Sequence, residues 1–561
     1  MSSGYAKQTR GRAPRFSVRP LLVALAAAGV LAPMSGHAAT IAVTTGGDAG
    51  GAGTCTLRQA VTSLNTAALA GTTCANSGAV FGTGDTVDLT TFVGTITLGG
   101  TELLVSKDMT FLGPVNPATV VITGGMASRV INATNQAITI RNLTIAKGSV
   151  VGPGGCIYGN NVSLDNAIVT GCRTTRDPLM AVPAFGGGIF ASTVNMTQST
   201  VSGNTAAGAG GGVAAKYLSV QSSVISGNTV AGGTCTFDVN NNSQKYCVLN
   251  LLGGGGILSF SATSIVSSTV SGNTVNATTL VDAANANNNV ILGLGGGITH
   301  LGTGNNPLLG LQSSTVSGNV IRAPAVVGAN VNGKYAGGGI VSKYANAAEV
   351  TNSTISGNTL PAVRPNNLSY GRGSALFAPG AHVSNSTITN NTGSVAVDLG
   401  QGTTPPVLDS TIIGGNFGGD DLDCNNCAVG GSRNLIQKPA IGVVLPPGTI
   451  VGQNPTLAPL GNNGGTVNGA SGHALTGSLK THILFLGSPA LNNGSNVLGF
   501  TNDQRGPGFP RVTGAAADIG AVEGAIPLPA PAHIPALGPW MLGLLSGLVG
   551  LFGLLRRRRS P

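Results

Sequence analysis

The chain has 561 residues with 89 glycines, and only 4% of its residues are aromatic and 8% charged, against about a quarter charged in an ordinary globular domain. Of its 28 basic residues, five precede residue 20 and four lie at 556–559, so the remaining 19 nearly balance the 18 acidic residues. The net charge of +10 therefore belongs to the ends of the chain. This excludes the basic folded surface of a nucleic-acid-binding protein and indicates a repeat protein.

The N-terminus has the three parts of a secretory signal peptide. Four arginines precede residue 20, an apolar run covers 21–31, and small residues follow at Gly36, Ala38 and Ala39. The apolar run is shorter than the ~20 residues that a membrane-spanning helix requires, which favours cleavage over an N-terminal anchor. We predict a signal peptide over 1–39, removed by signal peptidase near Ala38 or Ala39, and an exported protein.

Eight cysteines, an even number, fall into couples that are close in sequence. Disulfides are the expected state of such couples in an exported chain. The last couple is a Cys-x-x-Cys, which is also typical of zinc sites and redox centres. However, no second such motif or nearby histidine completes four metal ligands, and no helical pattern follows it. The predicted disulfides are Cys55–Cys74, Cys156–Cys172, Cys235–Cys247 and Cys424–Cys427.

The middle of the chain repeats a two-part unit, a glycine cluster with an aliphatic residue and then a short strand that ends in Gly-Asn. Two successive copies run over 186–204 and 210–228. The terminal asparagines of six copies are 24, 45, 46, 39 and 33 residues apart, so the longer intervals contain insertions or a further coil. Cys156 and Cys172 replace the third glycine and the asparagine at the same spacing of 16 residues, which predicts a covalently closed coil of the same series.

Short strands rich in Val, Ile, Ser and Thr cannot each bury a face alone, so they have to stack. In a parallel stack the coils lie ~4.8 Å apart, Val, Ile and Leu form inward columns, and Gly and Asn occupy turns with positive φ. Like charges on neighbouring coils would repel by roughly 3 kcal/mol at an effective dielectric of about 20, which explains the low charge content. A β-propeller would show periodic aromatic residues. We predict an all-β, right-handed parallel β-helix, a solenoid with capping segments at both ends, and a monomer.

The last residues form a distinct segment: an Ile-Pro-Ala-Leu-Gly-Pro-Trp stretch, an apolar run over 541–555 and four arginines. This segment resembles the IPTL-CTERM sorting signals of Gram-negative bacteria, with Ala536 in place of the usual Thr. The resemblance implies an exosortase-type sorting enzyme, transient retention in the inner membrane and transfer to the cell surface. The elementary interpretation is a C-terminal apolar membrane helix whose arginines stay cytoplasmic. The signal residues are Ile534, Pro535, Trp540, Arg556, Arg557, Arg558 and Arg559.

Two further segments resemble parts of surface β-helix proteins. The motifs at 464–466, 473–475, 487–490, 503–506 and 518–523 together resemble the choice-of-anchor Q domain, which closes such helices. Near the N-terminus, Cys-Thr-Leu-Arg-Gln-Ala-Val resembles the CSLREA-type opening motif. The predicted organisation is a signal peptide at 1–39, an N-terminal cap and first coils at 40–110, β-helix repeats at 111–430, a C-terminal cap at 431–525, a Pro-rich linker at 526–533 and the sorting signal at 534–561.

The sequence predicts no catalytic residues and no cofactor. Many parallel β-helix proteins cleave acidic polysaccharides, and such a lyase or hydrolase needs clustered or paired acids. The acidic residues between 154 and 400 are instead scattered over different coils: Asp165, Asp177, Asp238, Asp282, Glu349 and Asp398. The densest acidic group, Asp420, Asp421 and Asp423, is a weak calcium candidate, and a solvated loop is the simpler interpretation.

Two other groups of side chains contain residue types that can carry chemistry. The group Asp503, Gln504, Arg505, Arg511, Asp518 and Glu523 is interpreted as structural, with arginine and carboxylates pairing to close the last coil. His300, Tyr335, Lys343 and Tyr344 lie beside insertions and are candidates for lining a glycan groove. We expect a non-catalytic surface rod that is structural, adhesive or binds extracellular polysaccharide, with a polysaccharide-degrading enzyme as the alternative.

Overall fold

The computed structural model is a parallel β-helix, which confirms the fold class predicted from the sequence. It describes residues 38–528, except for 52, 70–72, 177–182, 238–252, 283–289, 303–307, 325–331, 344–347, 362–369, 401 and 403, and residues 544, 546–549 and 551. Nearly all strand pairs in the stack are parallel and in register from coil to coil, so each position of a coil lies above its equivalent in the previous coil.

Three sheets run along the helix, and a lateral sheet is built by insertions. Within the described residues, the first sheet has 20 strands: Thr40–Ala42, Asp85–Asp88, Leu103–Leu104, Met109–Leu112, Ile131–Arg141, Ile157–Asp165, Ile189–Thr197, Val213–Gln221, Ile257–Ser259, Thr263–Val266, Ile298–His300, Leu309–Gln312, Ile340–Ser342, Ala348–Thr351, Leu376–Phe377, His382–Ser384, Val395–Asp398, Val407–Asp409, Asp420–Asp423 and Gly430–Ser432. The second sheet, counted over the same part of the chain, has 13: Gly94–Thr97, Val120–Thr123, Thr144–Ala146, Ile168–Thr170, Thr200–Ser202, Val224–Ser226, Thr269–Ser271, Thr315–Ser317, Thr354–Ser356, Thr387–Thr389, Ile412–Ile413, Leu435–Ile436 and Ile450–Val451.

The other described strands are shorter groups. The third sheet contains Ser149–Val151, Arg173–Thr175, Thr205–Ala206, Thr229–Val230, Thr274–Asn276 and Val320–Arg322. The lateral sheet contains Gly233–Phe237, Thr278–Asp282, Val290–Leu294, Asn332–Ala336 and Tyr370–Arg372. Two strand pairs follow the helix, Gly461–Asn468 with Gly477–Thr481 and Leu484–Phe485 with Ala525–Ile526.

The pairing of strands decides how many coils the long intervals contain. Strand Val224–Ser226 pairs directly with Thr269–Ser271, and that strand pairs directly with Thr315–Ser317. The intervals of 45 and 46 residues therefore hold one coil each, and their extra length lies in insertions, part of which forms the lateral sheet.

An apolar column fills the interior beneath the second sheet. The middle residue of each strand points inward, as with Val201, Ile225, Val270, Val316 and Ile355, all with no exposed surface. β-branched side chains have few rotamers and pack well on a pleated surface. The alternation of these residues with Ser and Thr is the period-two pattern that a half-buried strand requires.

The terminal asparagines of the repeat form a continuous hydrogen-bonded ladder inside the turns. Each buried side-chain amide donates to the side-chain oxygen of the next asparagine at 2.9–3.0 Å, through Asn204, Asn228, Asn273, Asn319, Asn358, Asn391 and Asn416. The prediction that Gly and Asn occupy positive-φ turns does not hold for these asparagines, because the positive φ lies one residue earlier, 65° at Gly203 and at Gly227; it does hold for Asn166, Asn352 and Asn385 in another turn. The asparagines instead satisfy buried backbone groups, which are costly to leave unpaired.

The Cys156–Cys172 disulfide replaces one rung of this arrangement, as the spacing predicts. The third glycine of a normal unit faces the asparagine closely: a Cβ on Gly188 would lie 3.1 Å from the amide nitrogen of Asn204. The backbone N–H of Cys172 donates to the side-chain oxygen of Asn204 at 2.9 Å. The disulfide-closed coil therefore begins the asparagine ladder.

Two other predicted disulfides, Cys55–Cys74 and Cys424–Cys427, also form. Cys235 lies in the strand Gly233–Phe237, but its side chain and Cys247 lie outside the described residues.

The N-terminal end of the core is covered by the helix Leu57–Thr66. Thr56 caps it: its side chain accepts from the backbone N–H of Gln59, and the Gln59 side chain accepts from the backbone N–H of Thr56. This reciprocal capping box explains the Thr and Gln of the opening motif. The helix buries Leu57, Ala60, Val61 and Leu64 against the first coils.

The C-terminal region differs from the predicted end cap. The last coil is covered by 437–449, where Val443 and Leu445 pack against the core. Residues 455–526, which we call the strap, instead run along the outer face of the second sheet. The strap binds several coils through hydrogen bonds from Gly469 N to Ser222 O, Ala470 N to Thr200 Oγ1, Thr315 Oγ1 to Lys480 O, Thr354 Oγ1 to Gln504 Oε1 and Ala521 N to Thr387 Oγ1.

A column of threonines explains why the strap lies there. Thr200, Thr315, Thr354 and Thr387 occupy equivalent outward positions of the second sheet and are 0–2% exposed. Each offers a hydroxyl that can pair with a covering backbone or side chain. Without the strap these outward positions would face solvent, so the strap completes the side of the helix rather than its end.

The far C-terminus is described in part. Residues 544, 546–549 and 551 are helical. The sorting-signal residues Ile534, Pro535, Trp540 and Arg556 to Arg559 lie outside the described residues, as does most of the predicted signal peptide. In the part of the chain that is described, no helix combines the length and apolarity needed to cross a membrane.

Candidate ligand-binding groove

An aromatic groove lies on the outer face of the first sheet. Tyr158 and Phe190 are in register on neighbouring coils. Their neighbours Ile157 and Ile189 point into the core with no exposed surface, so the alternation of the strand turns the two rings outward. Phe260 joins them from two coils beyond Phe190, and its backbone N–H donates to Ala215 O on the coil between.

The rings are spaced for mutual contact and leave an open pocket between them. The centroids of Tyr158 and Phe190 are 5.5 Å apart, and Phe185 lies 6.4 Å from Phe190 and 6.1 Å from Phe260. These distances fall within the range of favourable aromatic pairs. The pocket has a volume of about 150 Å³ and is lined by Thr134, Tyr158, Gly159, Phe190, Ala191, Ser192, Lys216 and Phe260.

Buried apolar residues fix the groove from beneath. Phe185 is 5% exposed and packs with Ala209, Ala214 and Leu258, and the half-buried Phe190 and Phe260 contact this cluster from outside. The three rings that line the pocket are therefore held by packing while each keeps part of its surface accessible. A rigid aromatic platform loses little conformational entropy when a ligand binds.

Two cations flank the aromatic rings. Lys216 is exposed, and its ammonium lies 5.1 Å from the centroid of the Tyr217 ring. Arg129 lies 5.3 Å from the Tyr158 ring centroid and forms a 2.5 Å ion pair with Glu102. Burial lowers the pKa of Arg129, and the Glu102 carboxylate opposes that shift. Arg129 thus supports the Tyr158 ring, whereas Lys216 lines the pocket itself.

The groove combines apolar ring faces with a few polar groups, which is the usual make-up of a small-ligand site. A pyranose presents C–H bonds on its ring faces and hydroxyls around its edge. Such a ring can stack on Tyr158 or Phe190 while its hydroxyls bond to Ser192 and Thr134. Among the described residues that line the groove there is no carboxylate, and its charged or titratable side chains are Tyr158 and Lys216.

The predicted glycan-groove residues are not brought together. His300 has no exposed surface, and its Nδ1 lies 3.0 Å from the hydroxyl of Ser259 inside the coil. Tyr335 packs in a separate apolar cluster with Val230 and Ile321. Lys343 donates its backbone N–H to His300 O, and Tyr344 lies outside the described residues.

The calcium candidates point in different directions. Asp421 is 1% exposed, and its two oxygens accept from the amide of Asn416 at 2.7 Å and the backbone N–H of Lys438 at 2.9 Å. Asp420 is exposed, and Asp423 accepts from the backbone N–H of Asn425. Across the described residues, no three His, Cys, Asp or Glu side chains are grouped to hold a metal ion. Asp421 instead terminates the asparagine ladder.

The Asp503 to Glu523 group is a buried polar network inside the strap. Arg505 forms a 2.6 Å ion pair with Asp503 and stacks 4.0 Å from the Phe509 ring centroid. The guanidinium of Arg511, which is 1% exposed, donates to Asp518 O, and burial lowers its pKa. Burial also raises the pKa of Glu523. The group is structural in the sense predicted, but it shapes the strap beside the second sheet and does not close the last coil.

Stacking brings together two acids that are far apart in sequence. Asp398 and Asp423 are register partners on neighbouring coils of the first sheet. The side chain of Asp398 is 1% exposed and pairs with Arg372 at 3.2 Å. Burial raises the pKa of Asp398, against the attraction of Arg372, and the neighbouring Asp423 raises it further. The expectation that acids on different coils are scattered therefore overlooks pairs that meet between coils.

Sequence reasoning also missed the aromatic groove, although a signal was present. Tyr158 lies two residues after Cys156, and Phe190 lies two residues after Gly188, which is the equivalent position of the unit. Aligning the coils on the third glycine would have placed both rings on one face. The structure defines the chain as a parallel β-helix protein with an aromatic groove on its first sheet. No protein-family model and no curated protein matches the chain.

Proposed function

We propose that this chain is an exported, non-catalytic β-helix rod that binds polysaccharide in its aromatic groove at the cell surface. The main support for this proposal is the grouping of Tyr158, Phe190 and Phe260 around one pocket in a chain with only 4% aromatic residues. Tyr158 and Phe190 lie on neighbouring coils and Phe260 lies two coils beyond Phe190, a spread that suits an extended ligand running along the helix axis. Export and sorting through the C-terminal signal remain part of the proposal, supported by the sequence motifs.

The test is retention of the purified chain by a panel of acidic and neutral bacterial and plant polysaccharides. Each accessible ring contributes about 1 kcal/mol through stacking, so Tyr158→Ala and Phe260→Ala should each weaken binding by roughly fivefold. Phe417→Ala is the matched control, because Phe417 is 58% exposed and does not line the pocket. If no polysaccharide is retained, or if all three variants bind alike, the groove is not the binding site.

One observation favours a second function, cleavage of an extracellular glycan. Asp398 and Asp423 form a register pair whose environment raises the pKa of Asp398, and a hydrolase needs one protonated and one ionised acid. The Arg372 ion pair and the burial of Asp398 weigh against it. Measuring new reducing ends in the same polysaccharide panel separates the two functions. Reducing ends that the natural chain produces and Asp398→Asn does not would establish catalysis.

A further inference from the structure

We infer that processing between Ala38 and Ala39 creates a buried ion pair, in which the new α-ammonium of Ala39 binds the carboxylate of Asp85. The inference rests on the proposed export of the chain but is independent of the groove. It assigns one peptide bond to signal peptidase and gives the mature N-terminus a specific binding site in the first coil.

The N-terminal residue of the stack is already held in place. Ala39 has no exposed surface, and its carbonyl accepts from the backbone N–H of Thr86 at 2.8 Å. The next residues form the strand Thr40–Ala42, which pairs with Asp85–Asp88. The position of the Ala39 nitrogen is thus set by the strand that follows it, and cleavage before it leaves that nitrogen where it is.

Asp85 lies directly opposite this nitrogen. Its Oδ1 accepts from the backbone N–H of Ala39 at 2.8 Å, and it also accepts from the backbone N–H of Gly82 at 3.0 Å. Asp85 is only 1% exposed. None of the ion pairs formed among the described residues involves Asp85. A buried carboxylate without a cation is costly, whereas a free amino terminus supplies one.

The chemistry of cleavage changes the donor at this spot. Hydrolysis of the Ala38–Ala39 bond replaces an amide N–H with an α-ammonium, which is charged near neutral pH and carries three protons. One proton keeps the existing bond to Asp85, which becomes charge-assisted and roughly twice as strong. The sequence before the Ala38–Ala39 bond is that of a signal cleavage site, because Gly36 and Ala38 supply the two small residues that such a site requires.

The burial of Ala39 also sets an order of events. A peptidase needs the peptide in an extended, accessible form, but Ala39 is enclosed once the first coil has formed. Cleavage therefore precedes docking of the first strand, and an unprocessed chain completes its N-terminal coil without the ion pair. Cleavage also removes one hydrogen bond, the 3.0 Å bond that the backbone N–H of Ala79 donates to Ala38 O.

The first measurement is the N-terminal sequence of the full chain after export from a bacterial host. The expected first residue is Ala39, and any other start overturns the assignment. The second is hydrogen exchange of the amides in 40–42 and 85–88, comparing the chain from Ala39 to Pro561 with a free amine and with an acetylated amine. Acetylation should speed this exchange about tenfold and leave the exchange of 224–226 unchanged.

A variant cycle identifies the partner of the amine. In Asp85→Asn, acetylation should have no further effect on exchange, whereas in the matched control Asp88→Asn it should act as in the natural chain. Equal effects in both variants would overturn the ion pair. If Asp85→Asn does not fold, the comparison of free and acetylated natural chains still decides, because identical exchange would refute the inference. Polysaccharide retention is measured at a different surface, so its loss would leave this result standing.

Discussion

Removal of one rung of the asparagine ladder should destabilise the stack locally and strongly. The side chain of Asn273 makes four hydrogen bonds of 2.9–3.0 Å, with Asn228 N, Asn228 Nδ2, Ile225 O and Asn319 Oδ1. It has no exposed surface, so water cannot replace these bonds. At roughly 1 kcal/mol for each bond, Asn273→Ala should cost about 4 kcal/mol.

Hydrogen exchange of the adjoining rungs is the appropriate assay, because a long solenoid need not unfold in one step. The amides of 224–226 and 269–271 should exchange roughly a thousandfold faster in Asn273→Ala, the equivalent of about 4 kcal/mol. The matched control is Asn195→Ala, because Asn195 is exposed on the first sheet and its loss should stay within about 0.5 kcal/mol. A cost for Asn273→Ala below about 1 kcal/mol would refute the view that the ladder stabilises the coils.

The remaining predictions concern the strap, the end of the ladder, the turns and the tail. Burial lowers the pKa of His482 below its ordinary value, so the unfolded chain binds more protons and the strap loses stability as pH falls below about 6.5. Proteolysis of 461–482 should increase over that range, and His482→Gln should remove the pH dependence. Calcium and chelators should leave the melting temperature unchanged, because both oxygens of the buried Asp421 already accept hydrogen bonds; a rise with calcium would contradict this. Gly254→Ala should destabilise its coil by about 1–3 kcal/mol, measured by hydrogen exchange of the amides of 257–259, since φ is 75° and the new Cβ would lie 2.2 Å from Ile257 O. Neutralising 556–559 should alter membrane fractionation and leave the circular dichroism of the body unchanged; normal fractionation would contradict the sorting signal.

The sequence predicted those parts of the fold that repeat. The Gly-Asn spacing located the ladder, and the spacing of Cys156 and Cys172 placed their disulfide within it, because both depend on the local geometry of one coil. The insertions obscured the register, and it took strand pairing to show that a 45-residue interval is a single coil. Asp398 and Asp423 are 25 residues apart, about one coil, and they were missed because the acids were compared along the chain and not between neighbouring coils.

The strap could not be predicted from the repeat. Gln504 and Thr354 are 150 residues apart, and no period in the sequence connects them. The threonines of the second sheet recur with the repeat, but their recurrence does not indicate which segment covers them. Its burial depends on a segment whose own sequence is irregular, so only the three-dimensional structure relates the two.

The strap has a consequence for how this protein can change its length. Each ladder asparagine needs only a neighbour, so a duplicated coil would satisfy its own hydrogen bonds and join the stack. The strap, however, binds fixed coils from Asn166 to Ser410, and an added coil would displace every contact beyond it by ~4.8 Å. The strap therefore fixes the number of coils. Insertions at the turns can vary in length without disturbing it, whereas a change in coil number requires a matching change in residues 455–526.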